Sequence, residues 1–421
     1  MLCLVSSNLW KTNNKSDIML IFEEIYQNVE CTLGFCNQMI NSYLKEQKEY
    51  PLAVIKKQAE QLKAEGKDVI DLTIGDPQEP TFPQAIQSMK QFLISHPVSQ
   101  YPLATGSHEY LLSVSNWAKS NYGIELEPIK HVFSSNGSKE AIFLFPLIFD
   151  WSDGKEIWIS SISYPVYEAS ARTFGAPVRK LKVTKETGFF PDLTTISSRE
   201  WEKCRLYWIN SPHNPTSMTV DSGYFQDLLA LAEKHDFIVC SDECYNELYE
   251  EGRPACSLDF GDSDRWVAFR SLSKRSHMTG FRVGAVMSRN TEIMAFFRLC
   301  RSPIGVGTPT CNQVAGITAW SDEKHVQISR KQYAAKRHMI RQALESKGFE
   351  IHGGNHGFYF WLSHPKIQSS DGLFDLFLKR NICTTPGTVF GEDGQGYIRI
   401  VYCISRLECE KLCDLIAELE I

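Results

Sequence analysis

The sequence predicts an α/β protein with a mostly parallel, doubly wound sheet in a large domain, followed by a smaller α+β domain. Between about residues 100 and 300, short apolar runs alternate with segments whose apolar residues recur every three or four positions. Strands alternating with helical patterns favour parallel strands joined by crossover helices. After about residue 306, a long helical pattern is followed by short strands instead. These two patterns are the basis of the predicted fold class.

The elements follow in order along the chain. A helix begins near Pro51 and ends at Gly66, and DVIDLTI forms the first strand. The helices PQAIQSMKQFLI and SHEYLLSVSNWAKSNYG come next. The alternation then runs through HVFSSNG, SKEAIFLF, EIWISS, PVYEASARTFG, PVRKLKV, RLYWIN, YFQDLLALAEKHD, FIVCSD and RWVAFRSLS. Beyond these, the segment from Gln313 to Gly348 predicts one long helix.

Four regions are expected from these patterns. Residues 1–40 form an N-terminal extension, which is either a real extension or the product of a start taken too far upstream. Residues 41–75 form an N-terminal arm and part of the small domain, residues 76–305 form the large domain, and residues 306–421 form the small C-terminal domain.

Composition narrows the classes of function. A chain of 421 residues that is 43% hydrophobic can bury a large core. The net charge of −6 argues against a nucleic-acid partner, and no apolar run approaches the ~20 residues of a membrane helix. The N-terminus lacks the features of a secretory signal. Thirteen scattered cysteines without a C-x-x-C motif argue against both a disulfide framework and a metal site. We therefore expect a cytoplasmic protein without a metal.

Polar segments follow five of the predicted strands. They are SSNGSKE, SYPVY, SPHNPTS, DECY and SLSKR. Ligands of open α/β sheets bind beyond the carboxyl ends of the strands. The five segments should therefore converge on one crevice.

Each segment has both a functional and a structural interpretation. NGSKEA begins a helix, where free N–H groups suit a phosphate, although such a start is also an ordinary cap. The ring of Tyr164 could stack on a flat heterocycle, and Asn214 could simply belong to a turn. Asp242 could pair with a protonated ring nitrogen or be a solvated carboxylate at a strand end. Tyr245 could then bond to an oxygen of the same ring.

Lys274 is the expected nucleophile. Desolvation, together with Arg275 and Arg282, would lower the pKa of its amine and favour an imine. Arg282 could also pair with a phosphate, with Ser271 and Ser273 as additional donors. Arg399 lies in the apolar strand GYIRIVY, where it could bind a substrate carboxylate or form an internal ion pair. Together these groups describe a site for pyridoxal 5′-phosphate (PLP) bound as a Schiff base.

The same residues carry a family resemblance. From YPLAVIKK to the C-terminus, the chain resembles the class I/II aminotransferases, which are PLP enzymes of fold type I. The motifs that carry the resemblance are LTIGDP, QYPLATG, NGSKEAI, SYPVY, NSPHNPT, SDECYNELY, SLSKRSHMTGFRVG and YIRI. SLSKRS…TGFR together with NGSKEAIF is most similar to the succinyldiaminopimelate and LL-diaminopimelate aminotransferase branch.

The resemblance implies a role for each matched residue. Lys274 forms the Schiff base, Asp242 pairs with the pyridine nitrogen, and the catalytic set also includes Tyr245. The residues expected to hold the cofactor are Ser138, Lys139, Tyr164, Asn214, Asp242, Tyr245, Ser271, Ser273, Lys274 and Arg282, with Tyr101 reaching the phosphate of a neighbouring subunit. Tyr101 thereby implies a homodimer with shared active sites. Gly75, Asn214 and Arg399 are expected to bind substrate, with Arg399 holding the α-carboxylate. Ser217 stands where many relatives have glycine, which leaves the geometry of that turn open.

The implied activity is transfer of an amino group between an amino acid, expected to be glutamate, and a 2-oxo acid. N-succinyl-2-amino-6-oxopimelate, from lysine and diaminopimelate biosynthesis, is the candidate acceptor. Arg275, Arg298 and Arg301 are candidates for binding its distal carboxylate. The alternatives are an aspartate, alanine or aromatic aminotransferase, or a PLP-dependent C–S lyase. A non-enzymatic protein of this fold would have no reason to keep Lys274 and its partners.

Overall fold

A computed structural model describes residues 43, 45 and 51–421 of the chain, with side chains from residue 53 onward in the last range. The predicted extension over residues 1–40 lies outside the described residues. Strands are β1 (Ile70–Asp71), β2 (Val132–Ser135), β3 (Glu156–Ser160), β4 (Val178–Leu181), β5 (Cys204–Asn210), β6 (Ile238–Asp242), β7 (Trp266–Ser271), β8 (Gly284–Met287), β9 (Glu350–His352), β10 (Tyr359–Ser363), β11 (Ile382–Cys383), β12 (Thr385–Pro386) and β13 (Ile398–Val401).

The helices precede, connect and follow these strands. They are α1 (Pro51–Ala64), α2 (Pro83–Ser95), α3 (His108–Tyr122), α4 (Pro128–His131), α5 (Ser138–Leu144), α6 (Val166–Thr173), α7 (Ser198–Trp201), α8 (Ser222–His235), α9 (Leu272–Arg275), α10 (Thr291–Ile304), α11 (Thr310–Trp320), α12 (Lys324–Ser346), α13 (Ser370–Leu378) and α14 (Arg406–Ala417). Short 3₁₀ turns occupy Phe145–Ile148, Leu193–Thr195, Ser257–Asp259, Gly387–Phe390 and Glu392–Gly394.

Seven strands form the central sheet, in the order β2-β8-β7-β6-β5-β3-β4. All neighbouring pairs are parallel except the two that involve β8, which runs antiparallel to β2 and β7. Asn210 of β5 is level with Asp242 of β6, and Asp242 is level with Phe269 of β7. The carboxyl ends of three adjacent strands therefore lie side by side. The predicted α/β fold with a mostly parallel sheet is confirmed.

The inner strands β6, β7 and β8 are buried along their whole length, which explains why they are mostly apolar rather than alternating. Along β7, Trp266 and Ala268 pack into one hydrophobic cluster, whereas Val267 and Phe269 pack into another. The last residue of β6, Asp242, and the residue after it, Glu243, also point in different directions. Glu243 forms a buried ion pair of 2.7 Å with Arg270.

A second, four-stranded antiparallel sheet has the order β12-β13-β10-β9. Its core contains residues from β10, β13, α12 and α14, such as Phe360, Ile400, Ile340 and Leu412. Ile70 of β1 belongs to the same core, because β1 pairs in parallel with β11. The segment before the central sheet thus packs with the C-terminal part of the chain.

The predicted long helix over residues 313–348 is wrong, because the structure divides it into α11 and α12. At the break, the Asp322 side chain accepts a hydrogen bond of 2.9 Å from the His325 N–H and so satisfies a donor at the start of α12. Glu323 forms an ion pair of 2.6 Å with Arg275. Polar side chains therefore interrupt an otherwise helical pattern. Similarly, only Ile70–Asp71 of the predicted first strand is paired as a strand.

In the described part of the chain, the helices are all too short or too polar to cross a bilayer.

Helix α3 offers a test of the local backbone. It begins at Ser107, whose side chain accepts from the Tyr110 N–H, and ends at Gly123, which has φ +72° and open space where a Cβ would lie. Gly123→Ala should reduce the free energy of unfolding by about 1 kcal/mol, because alanine is strained in the left-handed region. Gly280, whose Cβ would also meet open space at an ordinary φ, is the matched control. Urea unfolding should show Gly280→Ala within about 0.5 kcal/mol of wild type. Equal effects of the two substitutions would contradict this explanation.

Candidate active site

A cavity of about 220 Å³ lies where β5, β6 and β7 end. Its lining includes twelve of the thirteen residues predicted to form the site, which are Gly75, Ser138, Lys139, Tyr164, Asn214, Asp242, Tyr245, Ser271, Ser273, Lys274, Arg282 and Arg399. Ile74, Cys244 and Tyr359 complete the lining and were not predicted. The predicted convergence of the strand ends is therefore observed.

Lys274 projects from the short helix α9, which is capped by the Ser271 side chain. Its Nζ donates a hydrogen bond to the Gly75 carbonyl oxygen. Burial lowers the pKa of Lys274, with a smaller contribution in the same direction from Arg282. Cys403, Cys244 and Asp76 act in the opposite direction on this pKa. The amine is thus easier to deprotonate than an ordinary lysine, as a nucleophile or base requires.

Arg275 was expected to act beside Lys274, but it does not line the cavity. Its guanidinium is buried and forms ion pairs of 2.7 Å with Glu247 and 2.6 Å with Glu323. Arg301 is held in the same way by Glu140 at 2.9 Å, and Arg298 donates to the Lys130 carbonyl oxygen at 3.2 Å. None of these three arginines lines the cavity, so the structure does not support a role for them in binding a distal carboxylate there.

Asp242, at the end of β6, is 4% exposed. Its Oδ2 accepts a hydrogen bond of 2.8 Å from the Tyr167 hydroxyl, and its Oδ1 accepts one of 3.3 Å from the Cys244 N–H. Burial raises the pKa of Asp242, and these two hydrogen bonds oppose that shift. A buried carboxylate of this kind gains from a cationic partner. Sequence reasoning missed Tyr167, although it lies three residues after Tyr164 and the two rings are in edge contact, with their centroids 5.7 Å apart.

Arg399 lies in β13 and is 2% exposed. Its Nη1 donates to Asn214 Oδ1 at 2.8 Å and its Nη2 donates to the Thr73 carbonyl oxygen at 2.6 Å. Among the residues that the structure describes, its Nε finds no hydrogen-bond partner. Within the described residues, the hydrogen-bond partners of Arg399 are thus neutral, and the alternative of an internal ion pair is not observed. A buried cation with a free donor suits an incoming carboxylate.

Asn214 is held in place by the ends of the central strands. Its N–H donates to Asn210 Oδ1 at 2.6 Å, and the Asn210 amide donates to the Asp242 carbonyl oxygen at 2.8 Å. Ser217, two residues beyond Pro215, has φ +56° and donates from Oγ to the Tyr359 carbonyl oxygen at 3.0 Å. The serine therefore adopts the left-handed backbone that glycine would favour, and its hydroxyl is satisfied.

The residues predicted to hold a phosphate all line the cavity. Ser271 Oγ donates to Ser273 Oγ at 2.8 Å, and Arg282 donates to the Asn136 carbonyl oxygen at 2.8 Å. A Cβ on Gly137 would come within 2.6 Å of the Arg282 guanidinium, so the glycine is needed for this approach. Burial, and to a lesser extent Arg282, lowers the pKa of Lys139. Two neighbouring cations destabilise each other unless an anion joins them.

Gly75 and Tyr359, which also line the cavity, are packed closely against each other. A Cβ on Gly75 would lie 2.7 Å from the ring of Phe358 and would also overlap the Tyr359 hydroxyl. The Tyr359 and Tyr245 hydroxyls are 2.7 Å apart. By contrast, Tyr101 lies outside the cavity and its side chain is fully exposed. Among the described residues, no cluster of His, Cys, Asp or Glu is arranged to hold a metal ion, and the ten described cysteines are free.

The arrangement fits the cofactor inferred from the sequence. It provides a buried amine, a buried carboxylate, a group of hydroxyls with two cations, and the orphaned Nε of Arg399. These groups suit an imine-forming aldehyde, a ring nitrogen, a phosphate and a substrate carboxylate, respectively.

Comparison with known proteins agrees with this chemistry. The family model described as "Aminotransferase class I and II" matches residues 67–416. A protein of Maridesulfovibrio salexigens named LL-diaminopimelate aminotransferase is 34% identical over 83% of this chain and 91% of its own length. A protein of the same name from Aquifex aeolicus is 32% identical over 85% of this chain and 93% of its own length.

Two solved structures share the fold. An aminotransferase from Neisseria meningitidis has a TM-score of 0.81 and 29% identity, covering 90% of this chain and 100% of its own. Aspartate aminotransferase from Thermus thermophilus with maleate has a TM-score of 0.82 and 23% identity, covering 90% of this chain and 99% of its own.

The buried amine of Lys274 leads to a test in the cofactor-free protein. Its folded-state pKa lies below the unfolded value, so the unfolded chain binds more protons between the two values and stability rises with pH across that window. Lys274→Met should therefore raise the melting temperature at pH 7, and the gain should shrink toward about pH 10. Lys90→Met, at an exposed lysine, is the control and should give no such trend. If the increase in melting temperature is absent at pH 7, or is the same at every pH, burial of the Lys274 charge does not destabilise the folded protein.

Proposed function

Since the chain belongs to the class I and II aminotransferases and is a transaminase, we propose that it binds PLP in this cavity and acts on a diaminopimelate-type substrate. The observation that carries the proposal is that twelve predicted residues, spread from Gly75 to Arg399, line one cavity. The proposed amino-group partner on the other side of the reaction is the glutamate and 2-oxoglutarate pair. The reaction belongs to lysine biosynthesis in this proposal.

When bound, PLP supplies an electron sink that allows the Cα–H bond of an amino acid to break. Lys274 Nζ takes that proton, and its lowered pKa leaves a larger share of the amine in the basic form. Asp242 holds a proton on the ring nitrogen, because a buried carboxylate stabilises a facing cation. Tyr164 stacks on the ring, and Asn214 and Tyr245 bind its hydroxyl oxygen.

Arg399 orients the substrate. Its Nε donates a hydrogen bond to the α-carboxylate. The side chain of Asn214 and the carbonyl oxygen of Thr73 keep the guanidinium in place. Ser138, Lys139, Ser271, Ser273 and Arg282 bind the phosphate. Gly75 lies over the substrate, where a side chain would overlap Tyr359.

The choice of substrate rests on the relatives named LL-diaminopimelate aminotransferase, which share about a third of their residues with this chain. The succinylated oxo acid remains an alternative acceptor for the same cavity. A cytoplasmic location is supported by the odd number of cysteines, thirteen, in a long chain.

A homodimer is also part of the proposal. Tyr101 is fully exposed beside other exposed apolar residues, Val98 and Leu103, and nearby α10 exposes Phe296 and Leu299. The two segments are close together, since Arg301 of α10 donates a hydrogen bond of 3.0 Å to the carbonyl oxygen of Ala104, the residue after Leu103. Exposed apolar residues grouped in this way are typical of subunit interfaces. Tyr101 would enter the active site of the second copy.

A substrate panel tests the function. With 2-oxoglutarate present, LL-diaminopimelate should give glutamate, whereas aspartate, alanine and phenylalanine should react at least about tenfold more slowly, the effect of one lost polar contact. Lys274→Ala should abolish turnover. Without 2-oxoglutarate, oxo acid release should stop after about one equivalent per active site, because the amino group stays on the enzyme. Continued release of oxo acid from a sulfur amino acid without 2-oxoglutarate would indicate a lyase. Preference for glutamate with N-succinyl-2-amino-6-oxopimelate would instead assign the succinylated substrate.

Mixed dimers test the sharing of active sites. Tyr101→Ala and Lys274→Ala homodimers should each be impaired. After unfolding and refolding the two together, activity should recover to about a quarter of wild type, since half of the dimers are mixed and each has one intact site. No recovery, or a monomer by light scattering, would overturn the shared site.

A further inference from the structure

We propose that Tyr359 is a positioning residue that donates its hydroxyl hydrogen to Tyr245 and thereby directs the Tyr245 hydroxyl hydrogen toward the ring oxygen of the cofactor. This inference rests on the proposed function, because it requires the cofactor ring to lie against Tyr245. No motif used in the sequence analysis includes Tyr359.

The geometry favours a fixed pair. The two hydroxyl oxygens are 2.7 Å apart, and the ring centroids are 5.3 Å apart with an interplanar angle of 70°. Tyr359 is 2% exposed and Tyr245 is 7% exposed, so water has little access to the contact. Tyr359 begins β10 and is paired with Val401 of β13, which fixes its backbone beside Arg399. Both residues line the cavity.

The direction of the hydrogen bond follows from the number of hydrogens. Burial raises the pKa of both phenols, so each hydroxyl keeps its one hydrogen. If Tyr245 donates its hydrogen to the ring oxygen, the hydrogen between the two hydroxyls comes from Tyr359. The guanidinium of Arg399 lies 4.6 Å from the centre of the Tyr359 ring and opposes the rise of its pKa. Arg399 thus makes Tyr359 the better donor of the two.

Two consecutive donors strengthen each other, because each hydrogen bond polarises the next. The chain from Tyr359 through Tyr245 should therefore stabilise the ionised form of the ring oxygen. It also connects the carboxylate site at Arg399 to the ring. The other titratable or charged groups that face the pair are Cys244, Asp242, Cys403 and Tyr333 of α12, with Lys274 bound to the adjacent Gly75. A Tyr359→Phe substitution leaves all of them in place.

The visible absorbance of the holoenzyme, titrated with pH, tests the inference. Tyr359→Phe removes one oxygen and keeps the ring packing. The pH midpoint of the absorbance change should rise by about 0.5 to 1 unit, the effect of weakening one hydrogen bond to the ionised form. In a Tyr245→Phe background, Tyr359→Phe should cause no further shift, because its action passes through Tyr245.

Tyr402→Phe is the matched control. It also removes a buried tyrosine hydroxyl from the same core, but that hydroxyl bonds to Arg337 and the Gly357 carbonyl oxygen instead. Its midpoint should equal that of wild type. An unchanged midpoint in Tyr359→Phe, or the same shift with and without Tyr245, would overturn the inference. A wild-type protein with no visible band would overturn the proposed function as well, so the two failures are distinguishable.

Discussion

The side-by-side ends of β5, β6 and β7 are the constraint on which the site depends. Parallel pairing makes Asn210 level with Asp242 and Asp242 level with Phe269, and a hydrogen bond from the Asn210 amide to the Asp242 carbonyl oxygen ties two of these ends together. Asn214, Asp242 and Lys274 lie in three separate parts of the sequence. Their positions in the structure are nevertheless all set by this register. Because β6 and β7 are buried along their whole length and β5 nearly so, the register is stabilised by the core on both faces of the sheet.

The site concentrates groups that are unfavourable without a ligand. Lys274 and Lys139 have lowered pKa values, Asp242 has a raised one, and Arg399 has a buried Nε without a partner. Each departs from what would stabilise the folded chain alone. A ligand that carries an aldehyde, a cationic ring nitrogen and anionic groups would satisfy all four. The cost of these buried groups is therefore best understood as preparation for binding.

Much of this site was predictable from the sequence, because polar residues directly after apolar strands have a known destination in a parallel sheet. Lys274, Asp242 and Asn214 follow that rule, Arg399 was identified as a charged residue within an apolar strand, and the family resemblance added Gly75. Tyr359 was not predictable in this way, because it lies within an aromatic strand of the second sheet and meets Tyr245 across 114 residues of sequence. Arg275 was misjudged for the opposite reason. Its neighbour Lys274 faces the cavity, whereas Arg275 is drawn to Glu247 and Glu323, which lie far away in the sequence.

The two adjacent carboxylates at the end of β6 limit which sequence changes this protein can tolerate during evolution. Asp242 lines the cavity, while Glu243 is paired with Arg270 in the interior. Moving the strand by a single residue would bring Glu243 to the cavity in place of Asp242 and would leave the buried guanidinium of Arg270 without this partner. Insertions and deletions should therefore be rare in descendants of this chain between Ile238 and Glu243, even where the surrounding loops change length freely.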